Sequence, residues 1–117
     1  MTGIFKAYDI RGIYPSELNE DTAYQIGFSF QKLVEKGTVV VGRDMRVSSL
    51  SLFQSLSAGL TDASLDVIDI GLVSTPVITF STAYYQYDAG IMITASHNSK
   101  EYNGFKMSKK GAYPISF

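Results

Sequence analysis

A serine stands in a polar segment that directly follows an apolar run. Ser96 lies within Thr94–Asn98, after Gly90–Ile93. A serine placed there presents its hydroxyl to solvent while nearby backbone N–H groups face an anion, so Ser96 is a candidate phosphoryl carrier. The same residue types favour turns for their own reasons, and local composition leaves an ordinary turn serine equally open. A hydrolase nucleophile is less favoured because the Gly-x-Ser-x-Gly pattern is missing.

The neighbouring His97 is the only histidine of the chain. Its position next to Ser96 makes it an awkward base for that hydroxyl. Donation of a hydrogen bond to a phosphate, or a simple surface position, both remain open.

Arginines follow two extended segments. Arg11 lies in Tyr8–Gly12, and its rigid donor fork suits phosphate, although a surface ion pair is the commoner explanation. In Gly42–Arg46, two arginines surround Asp44, and we interpret this segment as a structural ion-pair knot.

Lys106 is a third candidate cation. It follows Asn103-Gly104, a strong turn dipeptide that indicates a hairpin at that pair. Lys106 is a candidate proton shuttle or phosphate contact, and taken alone a solvated lysine is the simpler interpretation.

Strand and helix signals alternate along the chain. Asn19 is a predicted N-cap, and Gly37 is the predicted end of the first helix. A second helix is predicted from Ser48 or Ser49, and a third opens at Thr75-Pro76 and runs to about Tyr85. The predicted strands are Thr38–Val41, Leu65–Ile70, Gly90–Thr94 and Phe105–Ser108. This order predicts one domain over residues 1–117, an α/β fold built as a three-layer α/β/α sandwich with a mixed, mostly parallel sheet. Ligands of such folds bind beyond the carboxyl ends of the strands, where Arg43-Asp44 and the Ser96 segment fall.

Composition excludes several functions. The net charge of −1 gives no support to nucleic-acid or anionic-membrane binding, and the absence of cysteine excludes thiol chemistry. No apolar run approaches the roughly 20 residues of a membrane span, and the N-terminus is unlike a signal peptide. We therefore expect a cytoplasmic location.

These segments together resemble one family. Thr94–Asn98 followed by Tyr102–Lys106 is similar to the phosphoserine loop of the α-D-phosphohexomutases, and Ala7–Gly12 and Val41–Arg46 resemble the N-terminal domain of that family. The Tyr102–Lys106 segment looks like that of the phosphomannomutase/phosphoglucomutase branch. One departure is Ser99, where the family usually has a proline that would stiffen the turn.

The resemblance implies the first of four domains around a cleft. It implies that Ser96 carries a phosphate, exchanges it with a hexose phosphate substrate through a hexose bisphosphate, and so interconverts hexose 1-phosphate and 6-phosphate. The parent enzyme would then be an intramolecular phosphotransferase of the isomerase class. The resemblance also implies that Mg²⁺ binds through the phosphoserine, and that Arg11, Lys106, Tyr8 and His97 neutralise charge or move the proton.

The family's metal loop, sugar-recognition loop and C-terminal phosphate loop do not occur in the sequence. We therefore expect an isolated first domain, inactive without the remaining domains, with an apolar face exposed and a tendency to self-associate. The alternative is a stand-alone phosphate-binding or interaction module without turnover.

Overall fold

A computed structural model describes residue 4, residues 9 to 96 and residues 98 to 114. Six strands and three α-helices lie within these residues. The strands are β1 (Asp9–Ile13), β2 (Thr38–Arg43), β3 (Asp66–Leu72), β4 (Ala89–Ile93), β5 (Tyr102–Lys109) and β6 (Tyr113–Pro114). The helices are α1 (Glu20–Ser29), α2 (Ser49–Asp62) and α3 (Thr75–Tyr84).

The three helices begin at or close to the residues that the sequence predicts, and a side-chain cap bond is present at the first. The Asn19 side chain accepts a hydrogen bond from the Thr22 N–H at 3.1 Å, which confirms the predicted N-cap of α1. α2 begins at Ser49, as predicted, and Pro76 lies in the first turn of α3, whose N-cap is Ser74 rather than Thr75.

The first helix ends earlier than the sequence predicts. α1 stops at Ser29 and continues as a single 3-10 turn over Phe30–Lys32, so the predicted end at Gly37 is wrong. The turn buries Phe30 and leaves Leu33 57% exposed, which shows that apolar spacing alone did not fix the helix boundary. Gly37 instead precedes β2, with a φ of +143° that only glycine adopts readily.

The sheet has the order β1-β5-β4-β2-β3, and β6 pairs with the far end of β5. β2 pairs in parallel with β3 and β4, whereas β5 pairs antiparallel with β4, β1 and β6. Five of these strands therefore run in one direction and β5 runs in the other. The predicted mixed, mostly parallel sheet is confirmed.

Alternating side chains cover the two faces of this sheet. Val39 and Val41 belong to the larger core together with Leu56 of α2, while Val40 packs on the other face against Ile78 of α3. α1 and α2 thus lie on one face and α3 on the other, which is the predicted α/β/α sandwich.

The predicted turn at Asn103-Gly104 is wrong. Both residues lie inside β5, and Gly104 pairs with Arg11 of β1. A Cβ atom at Gly104 would collide with the Ile10 carbonyl oxygen, so the glycine allows a close strand approach rather than a turn. The hairpin that joins β4 to β5 is instead formed by residues 94 to 101, which include Ser96.

α3 exposes an apolar surface. Val77, Phe80, Tyr84 and Tyr85 are all more than two-fifths exposed, and Phe80 stacks on Tyr84 with ring centroids 5.1 Å apart. Such a surface was expected from the sequence. None of the helices in the described ranges has the length and apolar character required for a transmembrane span.

Candidate functional site

The hairpin that contains Ser96 lies at the carboxyl ends of β4 and β2. Arg43 pairs with Ile93 in the parallel register, and the Asp44 N–H donates to the Ile93 carbonyl at 3.1 Å. The segment after β2 therefore lies directly beside the hairpin. The structure brings together the two segments that the sequence assigns to this edge.

Ser96 has a left-handed backbone with a φ of +55°. Such a conformation costs a non-glycine residue about 1–3 kcal/mol and persists only where its surroundings hold it. The Ser96 N–H donates to the Thr94 hydroxyl at 3.0 Å, and the Asn98 N–H donates to the Ala95 carbonyl at 3.0 Å. The turn is tight, and the side chain of Ser96 remains half-buried rather than enclosed.

Arg46 holds the hairpin from the inside. Its Nη1 donates to the carbonyls of Ser99 at 2.7 Å and Tyr102 at 3.0 Å, and its Nη2 donates to those of Ser96 at 3.0 Å and Asn98 at 2.9 Å. Its Nε donates to Asp44 Oδ2 at 3.1 Å. A guanidinium has five N–H groups, and these five hydrogen bonds use all of them.

Asp44 holds Arg46 in turn. Its carboxylate also accepts from the Ser49 hydroxyl at 2.7 Å and from the Arg46 N–H at 3.0 Å. Burial raises the pKa of Asp44, but hydrogen bonds from Thr94, Ser49 and Arg46 outweigh it, so the pKa lies below its ordinary value. The carboxylate is therefore charged at neutral pH and neutralises the guanidinium.

The network continues into β5. The fully buried Asn103 amide donates to the hydroxyls of Ser48 at 2.8 Å and Ser49 at 3.0 Å. Its Oδ1 accepts from the Gly104 N–H at 2.9 Å. Asn103 thus fastens β5 to the start of α2, beneath the hairpin.

Arg11 approaches the hairpin from β1. Its Nη1 donates to Asn98 Oδ1 at 2.7 Å, and its Nη2 pairs with Asp9 Oδ2 at 3.1 Å. The ion pair that the sequence left open is present, and the contact with the Ser96 hairpin is present as well. Arg11 Nε is buried and has no hydrogen-bond acceptor among the described residues. The Nη groups have acceptors only in Asn98 and Asp9 among those residues, and the side chain is 32% exposed, so they retain donor capacity.

Lys106 lies on the same face of the sheet as Arg11. It is opposite Asp9 of β1 and Met92 of β4 in the antiparallel register, and directly opposed residues share a face. It is half-buried and makes no salt bridge or side-chain hydrogen bond with the described part of the chain. His97 and Tyr8 lie outside the described residues.

The predicted ion-pair knot of Gly42–Arg46 is half correct. Arg46 pairs with Asp44, but Arg43 turns away to Asp69, with Nη1 3.1 Å from Oδ1, and lies 4.8 Å from the Phe53 ring centroid. The contacts of Arg46 with the Ser96 hairpin were not predicted from the sequence. The signal was the position of Arg46 just after β2, which the parallel register places beside the end of β4.

The described residues contain no group of three or more His, Cys, Asp or Glu side chains that could hold a metal ion. The Asp44 carboxylate, which supports the hairpin through Arg46, is occupied by Arg46 and Ser49. A metal bound at Ser96 would need further ligands from outside the described part of this chain.

Comparisons with known proteins agree with this geometry. The family model described as phosphoglucomutase/phosphomannomutase, alpha/beta/alpha domain I, matches residues 2–116. A phosphomannomutase of Klebsiella pneumoniae is 51% identical over 112 residues, covering 96% of this chain and 71% of the relative. A phosphomannomutase of Escherichia coli is also 51% identical over 112 residues, covering 96% of this chain but 25% of the relative.

A solved structure shows the same likeness in three dimensions. A phosphoglucomutase/phosphomannomutase family protein of Burkholderia thailandensis superposes with a TM-score of 0.88 at 42% identity. The match covers 92% of this chain and 26% of that protein. The chain therefore spans about a quarter of the length of the Escherichia and Burkholderia relatives.

Proposed function

Because the chain belongs to the phosphoglucomutase/phosphomannomutase family as its α/β/α domain I, we propose that it is the phosphoserine-bearing domain of a hexose-phosphate mutase. Ser96 is the carrier in this proposal. The observation that supports it best is the placement of a half-buried serine in a hydrogen-bonded hairpin beside Arg11, whose guanidinium contacts the hairpin at Asn98 and whose side chain is 32% exposed.

The proposed reaction consists of two phosphoryl transfers, one from Ser96 to the sugar and one from the sugar back to Ser96. A free hydroxyl of a hexose phosphate attacks the phosphorus of phospho-Ser96, the bond from phosphorus to Ser96 Oγ breaks, and a hexose bisphosphate forms. The attacking hydroxyl loses a proton and Ser96 Oγ gains one. After the bisphosphate reorients, Ser96 Oγ attacks its other phosphate, and a hexose monophosphate leaves with its phosphate at the other position. In this second transfer the proton moves from Ser96 Oγ to the sugar oxygen that leaves.

The residues at this edge of the sheet suit charge neutralisation, on which phosphoryl transfer mainly depends. Arg11 donates to anionic phosphate oxygens in the proposal, and the Lys106 ammonium, on the same face, neutralises charge or shuttles the proton. We assign His97 and Tyr8 to the same tasks on the strength of the family resemblance alone.

Mg²⁺ fits this chain only in part. The Ser96 phosphate would supply one hard oxygen ligand, and the described residues supply no carboxylate cluster to complete the site. In the proposal, the remaining ligands, the sugar contacts and a second phosphate site come from other domains of the same enzyme, and this chain alone does not complete the cycle.

The test is phosphate labelling of Ser96. The chain is incubated with glucose 1,6-bisphosphate and MgCl₂, alone and as a chimera in which it replaces the first domain of the Burkholderia relative. Intact mass and peptide mapping report the phosphate. We expect a gain of one phosphate on Ser96, absent in Ser96→Ala, and mutase turnover only in the chimera.

The matched control is Ser99→Ala, which removes another hydroxyl of the same hairpin. Among the described residues, that hydroxyl bonds only to Glu101. The control should be labelled like the wild type. If circular dichroism shows folded proteins and Ser96 stays unlabelled in both forms, the carrier role is refuted. Binding of the bisphosphate without labelling would instead favour a phosphate-binding module without turnover.

A further inference from the structure

The hydrogen bonds of the Ser96 hairpin assign a separate task to Arg46. We infer that Arg46 is a positioning residue that fixes the orientation of Ser96 for phosphoryl transfer and does not itself bind phosphate. This inference rests on the proposed function for its catalytic part, and on the hairpin geometry alone for its structural part.

Arg46 has every donor of its guanidinium in a hydrogen bond. Each of the five N–H groups of Arg46 already has an acceptor, namely four backbone carbonyls of the hairpin and Asp44. A phosphate oxygen could be bound only by breaking one of these bonds. Arg11 differs, because its Nη groups have acceptors in only two of the described residues, Asn98 and Asp9, and its side chain is 32% exposed. The two arginines therefore divide the work, and Arg11 is the one with capacity for an anion.

The backbone of Ser96 is held at both of its polar groups. Its N–H is fixed by the Thr94 hydroxyl and its carbonyl by Arg46 Nη2, both at 3.0 Å. With both backbone polar groups held, the direction of the Cα–Cβ bond is set, and rotation about χ1 is the main freedom left to the hydroxyl. The positive φ of Ser96 would relax without these contacts, since it is an unfavourable conformation for serine.

The guanidinium of Arg46 is planar. The guanidinium reaches carbonyls on both sides of the turn, those of Ser96 and Asn98 through one nitrogen and those of Ser99 and Tyr102 through the other. A lysine ammonium has three donors on one atom and cannot span this set. Lysine keeps the charge but lacks the five-donor fork, so Arg46→Lys separates geometry from electrostatics.

The experiment compares Arg46→Lys with Arg43→Lys. The control makes the same substitution three residues earlier, at a side chain that contacts Asp69 and Phe53 but not the hairpin. For the wild type and both variants, the rate at which Ser96 is phosphorylated is measured as a function of the glucose 1,6-bisphosphate concentration. Misplacement of a reacting group by about 1 Å costs on the order of 100-fold.

We expect Arg46→Lys to lower the saturated labelling rate by roughly 10- to 100-fold while the half-saturating concentration changes by less than about threefold. Arg43→Lys should match the wild type in both. A higher half-saturating concentration with an unchanged saturated rate would overturn the inference, because it would place phosphate on Arg46. No change in either quantity would overturn it as well.

A second measurement is independent of phosphate. Amide hydrogen exchange at position 96 and at Asn98 and Tyr102 is followed by NMR in the Ser96→Ala background, which cannot be phosphorylated at position 96. We expect Arg46→Lys to speed exchange of these amides at least tenfold and to leave those of β4 and β2 protected. Unchanged hairpin exchange refutes the inference. If wild-type Ser96 is never labelled, the proposed function fails, and this measurement still decides whether Arg46 holds the hairpin.

Discussion

Replacing Asp44 with asparagine tests the ion pair that supports the hairpin. Asp44 and Arg46 are 22% and 14% exposed in their side chains, so the pair is largely but not wholly withdrawn from water. Removing one partner of a fully buried pair costs about 3–5 kcal/mol, because it leaves an uncompensated charge. Residual exposure, and the one acceptor that asparagine retains, reduce this, and we expect Asp44→Asn to lower the free energy of unfolding by about 2 kcal/mol.

Urea denaturation at pH 7 measures this loss. With an m-value of about 1–2 kcal/mol/M, the midpoint should fall by about 1–2 M. The matched control is Asp69→Asn, which removes the carboxylate from the pair with Arg43. Asp69 is 47% exposed, and exposed pairs contribute about 0–1 kcal/mol, so this variant should remain close to the wild type.

Comparison of the wild type with Asp44→Asn also gives a pH test. The pKa of Asp44 is lowered on folding, so the stability that its charge supplies is present above the unfolded value of about 3.9 and is lost as pH falls through the folded pKa. The difference between wild type and Asp44→Asn should therefore be full at pH 7 and shrink below pH ~3.9. A loss at pH 7 no larger than that of Asp69→Asn, or a difference that grows in acid, would refute the assignment.

Three further outcomes follow from the packing. Gly59→Ala should lower the free energy of unfolding, measured in urea, by about 1–3 kcal/mol, because its Cβ would lie 2.8 Å from the Phe28 nitrogen where α1 crosses α2. A loss below about 0.3 kcal/mol would contradict that contact. Ser57→Ala should leave the free energy of unfolding unchanged or raise it by up to about 1 kcal/mol, because the buried Ser57 hydroxyl has no hydrogen-bond partner among the described residues. A clear loss of stability in the same urea assay would show that the hydroxyl does have a partner. The exposed apolar surface of α3 is expected to cause self-association, which sedimentation measures, and Phe80→Glu should reduce it more than the control Thr79→Glu does. A wild-type chain that is monomeric at all concentrations would contradict this expectation.

Local chemistry was enough to predict much of the fold. The cap at Asn19, the proline at Pro76 and the runs of β-branched residues each act within a few residues, and the elements that they mark are present. The error at Asn103-Gly104 has a different origin. That dipeptide favours a turn in isolation, but the close approach of β1 makes the glycine necessary inside a strand, and no local pattern shows that contact.

In the candidate site, too, the residues marked by local chemistry could be predicted, whereas those placed by strand pairing could not. Ser96 and Arg11 stand out by residue type and by family resemblance. The role of Arg46 depends on which strands are neighbours, because a register between β2 and β4 brings its side chain to the hairpin some 50 residues later. Sequence reasoning reached the Asp44–Arg46 pair but could not give the pair its orientation.

The position of β5 in the sheet has a consequence for how the site is assembled. Within the described ranges β1 pairs only with β5, so β1 has no neighbour in the sheet until Tyr102–Lys109 has been synthesised. The contact between Arg11 and Asn98 joins residues 87 positions apart, whereas the contact of Arg46 with the hairpin closes a shorter loop. Closing the longer loop costs more chain entropy and depends on a single strand pairing. Local unfolding of β1 would remove Arg11 from the site, whereas the hydrogen bonds of Arg46 to the hairpin involve no residue of β1.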